Sequence, residues 1–66
     1  MRVCQVAVPT PVPRLFDYLL PGDAVPAIGA RVQVPFGRRL MVGIVVNLSN
    51  RSELPAERLR SVQRLL

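Results

Sequence analysis

Ala30-Arg31-Val32-Gln33-Val34-Pro35-Phe36, then Gly37-Arg38-Arg39, then Leu40-Met41-Val42-Gly43-Ile44-Val45-Val46-Asn47-Leu48 is the stretch that decides the fold. In the first segment Ala30, Val32 and Val34 share one side, while Arg31 and Gln33 share the other. That alternation is the mark of a half-buried antiparallel strand. The last segment is the longest apolar run, with Val42, Ile44, Val46 and Leu48 on one face and Met41, Gly43 and Val45 on the other. Gly43 within a strand predicts a bulge or a bend, as in a curling sheet. Between the two strands, Gly37 suits a tight turn that needs a positive φ or a close backbone approach. The three pieces together predict a β-hairpin.

Working outward, residues 2–8 read Arg-Val-Cys-Gln-Val-Ala-Val, a β-branched run ending at a proline, and predict a further strand. Pro9, Pro11 and Pro13 follow at alternate positions. Proline lacks the ladder donor and fixes φ, so 9–13 should be an extended connection without regular pairing. Leu15 to Leu20 is a short strand with Phe16, Tyr18 and Leu20 on its inward side, leaving Asp17 to face outward or into a cleft. Pro21-Gly22-Asp23 signals a turn, and Ala24 to Gly29 a loop. Asn47 to Glu53 is a polar loop. Residues 54–66 carry two patterns: helix propensity with a Leu59, Val62, Leu66 stripe, and strand-like alternation. Alternation assigns Val6, Val32, Val34, Val42, Ile44 and Val46 to the core.

The 66 residues make one small domain at most, since a chain of this length buries a modest core. Half the residues are apolar, which excludes intrinsic disorder. No apolar run approaches the roughly 20 residues of a membrane span, and the N-terminal sequence does not read as a signal peptide. One cysteine cannot form an internal disulfide, and Cys4 reads as a small core residue. A cytoplasmic location follows as the expectation.

The net charge is +5, and all nine basic residues are arginine. Arginine forks suit phosphate and stack on bases, so this balance is an electrostatic footprint for nucleic acid. Solubility alone would also account for it. With no histidine, no lysine and a single cysteine, there is no histidine triad, no Walker lysine and no CxxC zinc pair. Asp17, Asp23, Glu53 and Glu57 form no evident acid–base couple. A binding module is therefore favoured over an enzyme, and no cofactor is expected in this chain.

Asp17 stands between Phe16 and Tyr18 in a basic chain. A carboxylate is repelled by a phosphate track, yet it accepts hydrogen bonds from a sugar hydroxyl or a base amino group. The 3′ end of a strand offers a hydroxyl with no phosphate beyond it. A neighbouring aromatic ring could stack a base, worth roughly 1–3 kcal/mol. Gly37 would allow close backbone approach, and arginine would take the preceding phosphate.

Several stretches, in order, resemble the N-terminal domain of the PriA primosomal helicase family. They are Val6-Ala7-Val8-Pro9, the alternating prolines, Leu15-Phe16-Asp17-Tyr18-Leu19-Leu20-Pro21, Gly29 to Arg38, Val42-Gly43-Ile44-Val45-Val46, and Ser52-Glu53-Leu54-Pro55 with its tail. The resemblance covers essentially the whole chain. It implies an all-β fold, a small curled antiparallel sheet closing toward a partly open barrel, with Leu59 to Leu66 a strand rather than a short helix. It implies recognition of the 3′ end of the nascent leading strand at stalled replication forks, with Phe16, Asp17 and Gly37 forming a terminal-nucleotide pocket. Arg60 stands where the family has a basic residue, in place of the expected lysine, so charge is kept and hydrogen-bond geometry is not. Arg14, Arg38 and Arg39 are candidate phosphate contacts. By the same resemblance, residues 1–66 are the DNA-end-binding domain of a longer 3′-to-5′ helicase that uses ATP with magnesium and holds zinc elsewhere in its chain. The implied partners are DNA, the rest of that helicase, and primosome and single-strand-binding proteins, with no membrane partner, in a nucleoid-associated setting.

Overall fold

The hairpin forms as the pattern dictates. In the computed structural model, which describes residues 2–12 and 14–66, strands β3 (Arg31–Phe36) and β4 (Arg39–Ser49) pair antiparallel from Phe36↔Arg39 to Arg31↔Ile44. Gly37 takes φ +61° at the first position of the two-residue loop, the glycine-first arrangement that matches the twist of hairpin strands. Strands β1 (Val3–Ala7) and β2 (Phe16–Leu19) form a second antiparallel pair, with Cys4 opposite Tyr18 and Gln5 opposite Asp17. The connection between them holds Thr10 N–H to Val8 O (2.8 Å) and Arg14 N–H to Val12 O (2.9 Å), and its described residues form no strand. Pro13 of the alternating prolines lies outside the described residues.

The eleven-residue strand β4 serves both pairs. Its first half pairs with β3 and its second half with β1, and Ile44 is opposite both Arg31 and Ala7. The sheet curls at this handover. An added Cβ on Gly43 would overlap the Val6 side chain and lie 2.8 Å from the Ala7 carbonyl oxygen. Only a glycine lets β1 come so close. The expected bulge lies a few residues further on. Gln5 pairs with Asn47 and Val6 with Val45, so Val46 is the extra residue of β4.

This corrects the expected core. Val6, Val32 and Val34 are fully buried, but Val42, Ile44 and Val46 are 42%, 38% and 39% exposed on the outer face. The inward face of β4 carries Met41, Gly43 and Val45, because the strand must present its glycine to β1. Beyond the bulge the phase switches, and Leu48 packs against the core instead of joining Val42 and Ile44. Cys4, Val6, Val8, Tyr18, Val32, Val34, Val45 and Val62 form the buried cluster. The buried Tyr18 hydroxyl donates to the Pro35 carbonyl oxygen at 2.8 Å.

Residues 54–66 hold both patterns in sequence. A single 3-10 turn spans Ala56–Arg58, followed by β5 (Arg60–Ser61) and β6 (Arg64–Leu65). The sheet order is β5-β2-β1-β4-β3-β6. Because β5 runs parallel to β2, the sheet is mixed rather than wholly antiparallel. The two edge strands are separated only by Val62 and Gln63. Val62 N–H donates to Leu19 O (2.9 Å) and Gln63 N–H to Gln33 O (2.8 Å), which curls the six strands into a half-barrel.

Candidate nucleic-acid interface

The sheet order places β2, the β3–β4 turn and β5 around one open cleft of about 840 Å³. Phe16, Asp17, Gly37 and Arg60, drawn from three separate stretches of sequence, all line it. Each arrives by a local rule. Alternation along β2 buries Tyr18 and leaves Asp17 half-buried on the cleft side. Phe16, also half-buried, sets its ring edge-on to Phe36, with centroids 4.9 Å apart and planes at 84°, a favoured aromatic geometry. The Arg14 guanidinium lies 4.8 Å from the Phe16 ring centre and covers one of its faces. The parallel pairing sets Arg60 opposite Tyr18, from where its Nη1 donates to the Gly37 carbonyl oxygen at 2.8 Å.

The arginines expected to meet phosphate divide into two groups. Arg14 lines the cleft, together with Arg51 and Arg58, which the sequence reading passed over. Arg38 and Arg39 sit exposed at the hairpin end and are not part of its wall. The cleft therefore has four arginines on its walls, together with the carboxylates of Asp17 and Glu53.

Ser52 was also missed. Its hydroxyl donates to Asp17 Oδ2 at 2.5 Å, and its Oγ accepts the Leu54 N–H at 3.1 Å. Nothing in the sequence ties residues 35 positions apart, so only the fold could show it. Burial raises the Tyr18 phenol above its ordinary range, partly offset by the nearby Arg60. Among the described residues no group of three or more histidine, cysteine or acidic side chains converges as a metal site, and no helix is long and apolar enough to cross a membrane.

The fold and the cleft define a small half-barrel β-module with an arginine-walled groove. The family described as the 3′DNA-binding domain (3′BD) of PriA matches residues 5–66, and the chain belongs to it. It is 42% identical over 62 residues to the replication restart protein PriA of Haemophilus influenzae, covering 94% of this chain and 8% of that protein. It is 35% identical over 54 residues to the replication restart protein PriA of Buchnera aphidicola subsp. Schizaphis graminum, covering 82% and 8%. Against the protein of the same name from Buchnera aphidicola subsp. Acyrthosiphon pisum it is 29% identical over 66 residues, covering all of this chain and 9% of that one. The chain thus spans less than a tenth of the length of these relatives.

Proposed function

We propose that the chain binds DNA through this cleft and receives the terminal nucleotide of a 3′ end. The observation that carries the reading is Asp17, a carboxylate on the wall of a groove that four arginines also line. Arginines on the walls draw in the phosphodiester backbone, whereas a carboxylate repels phosphate and accepts a hydroxyl proton. A free 3′-hydroxyl meets both demands. Phe16 and Gly37 shape the space around the nucleotide, and Arg60 neutralises charge beside it. Membership of a DNA-binding-domain family supports the DNA-binding part of this reading.

In a longer protein of the PriA type, this module would direct an ATP-dependent 3′-to-5′ helicase to the leading-strand end at a stalled fork. It would act there with primosome and single-strand-binding proteins for replication restart. ATP with magnesium, and zinc, would belong to other parts of that protein. The residues of this chain fit neither, having no lysine, no histidine and one buried cysteine.

The test is a fluorescence-anisotropy titration with single strands carrying a 3′-hydroxyl, single strands carrying a 3′-phosphate, and circular strands. A 3′-phosphate close to Asp17 should cost on the order of 1–4 kcal/mol, so the hydroxyl end should bind about fivefold or more tightly. Equal affinity for all three would replace end recognition with general single-strand binding, and no binding at all would point to a protein-docking role.

A further inference from the structure

The hydrogen bonds at Ser52 have a fixed direction. A serine hydroxyl has one proton and two acceptor positions. The Leu54 N–H takes an acceptor position at 3.1 Å, and an ionised carboxylate has no proton to give. The Ser52 proton therefore goes to Asp17 Oδ2, at 2.5 Å. The chain from Leu54 N–H through Ser52 O–H to Asp17 is polarised one way, and each bond strengthens the next.

We infer that Ser52 is a positioning residue for the 3′-terminal pocket, an inference that rests on the reading of Asp17 given above. By holding Oδ2, it fixes the rotation of the carboxylate and reserves Oδ1 for the incoming hydroxyl. The grip is well founded. Asp17 is on the regular strand β2, whereas Ser52 is in a loop whose backbone is turned by the bonds from Leu54 N–H to Ser52 Oγ and from Arg51 N–H to Ser49 Oγ (3.0 Å). Both Ser52 and Asp17 are half-buried and line the cleft, so the bond is partly shielded from competing water. A bare carboxylate at this place would turn about its last torsion, which is broad for aspartate. It would then offer a hydroxyl two interchangeable oxygens at poorly defined angles.

The experiment compares wild type, Ser52→Ala, Ser52→Thr, Asp17→Asn and the Ser52→Ala/Asp17→Asn double variant against 3′-hydroxyl and 3′-phosphate single strands by anisotropy. Ser52→Ala should weaken hydroxyl-end binding about tenfold, the scale of a lost hydrogen bond to a charged group. It should leave phosphate-end affinity and the salt slope unchanged. Ser52→Thr, which keeps the hydroxyl, should restore the hydroxyl-end preference. The double variant should be no weaker than Asp17→Asn, since neighbours acting through one group are not additive. If wild type discriminates the two ends and Ser52→Ala does so equally well, the positioning role is overturned and the Asp17 reading stands. Equal loss at both ends, or in Ala and Thr alike, would make Ser52 merely structural and also overturn it. If wild type does not discriminate, the end-recognition reading falls first and this inference falls with it.

Discussion

Arg60 and Gly37, 23 positions apart, are joined by one hydrogen bond of 2.8 Å from guanidinium to carbonyl. The bond ties the edge strand β5 to the β3–β4 turn across the mouth of the cleft. Arg60→Lys keeps the charge but replaces a planar fork with a point charge. It should keep the salt dependence of DNA binding while shifting the backbone amide resonances of Gly37 and Arg38. Arg60→Ala should shift the same resonances and also lower the salt slope by roughly 0.7, the share of one phosphate contact on a single strand. Titrations at several salt concentrations, with amide spectra, separate the two effects.

The position of the arginines gives a second expectation. Arg51 and Arg58 line the cleft, whereas Arg38 and Arg39 project from the hairpin. An Arg51→Ala/Arg58→Ala variant should lose two contacts of roughly 0.7 each, about 1.4 in salt slope on single strands. Arg38→Ala/Arg39→Ala should lose less. The reverse ranking would place the DNA backbone over the hairpin instead of along the groove.

Adjacent residues of β4 should differ in what they contribute to stability. Val45 is fully buried and Ile44 is 38% exposed. Val45→Ala should cost about 2–3 kcal/mol, since it removes packed methyl groups and leaves a cavity. Ile44→Ala, although it removes more atoms, should cost about 1 kcal/mol. Gly43→Ala should cost about 1–3 kcal/mol by overpacking against Val6 and Ala7. Urea denaturation of the three variants ranks them.

Cys4 makes stability fall in alkali. Burial pushes its thiol up from 9.0 to about 11, opposed by a backbone hydrogen bond and aided by the Asp17 charge. Below pH 9 the thiol is protonated in both the folded and unfolded chain, and its contribution is constant. Between about 9 and 11 the unfolded chain gives up the proton first, so stability declines with rising pH. Tyr18, raised in the same sense by burial, extends that decline. Melting temperatures measured from pH 8 to 11 should fall less steeply for Cys4→Ala than for wild type. Iodoacetamide should leave native Cys4 unmodified, because the thiol is both buried and protonated.

How far the sequence disclosed this molecule depended on distance along the chain. The hairpin at Gly37 was legible, because alternation and a glycine turn are local signals. The face of β4 was not, because that strand is apolar on both sides. The deciding fact, that Gly43 must receive Val6 and Ala7, lies 36 or 37 residues upstream. Asp17, Phe16 and Gly37 stand out by residue type and by family resemblance, Arg60 by the resemblance alone, and the fold brings all four to one cleft. Arg51 and Ser52 do not stand out, since they look like any solvated polar loop, and Arg58 does not, since it reads as one more charged position of the ambiguous tail. The tail carried two patterns because it holds two structures, one helical turn and two strands too short to print a period of their own.

The position of β5 and β6 on opposite margins of the sheet affects how the chain survives its own synthesis. Strand margins with unpaired N–H and C=O groups are templates for other chains. A growing polypeptide that has emerged only as far as Leu59 already contains β1 to β4, yet both margins are still bare. The next six residues cover both at once, because Arg60–Ser61 pairs with β2 and Arg64–Leu65 with β3. Loss of this short stretch, by truncation or by a proline at Val62, would take one member, Val62, out of the buried cluster and leave the other seven in place. It would, however, turn a self-contained sheet into one that seeks partners, and such a variant should fail first by aggregation rather than by unfolding.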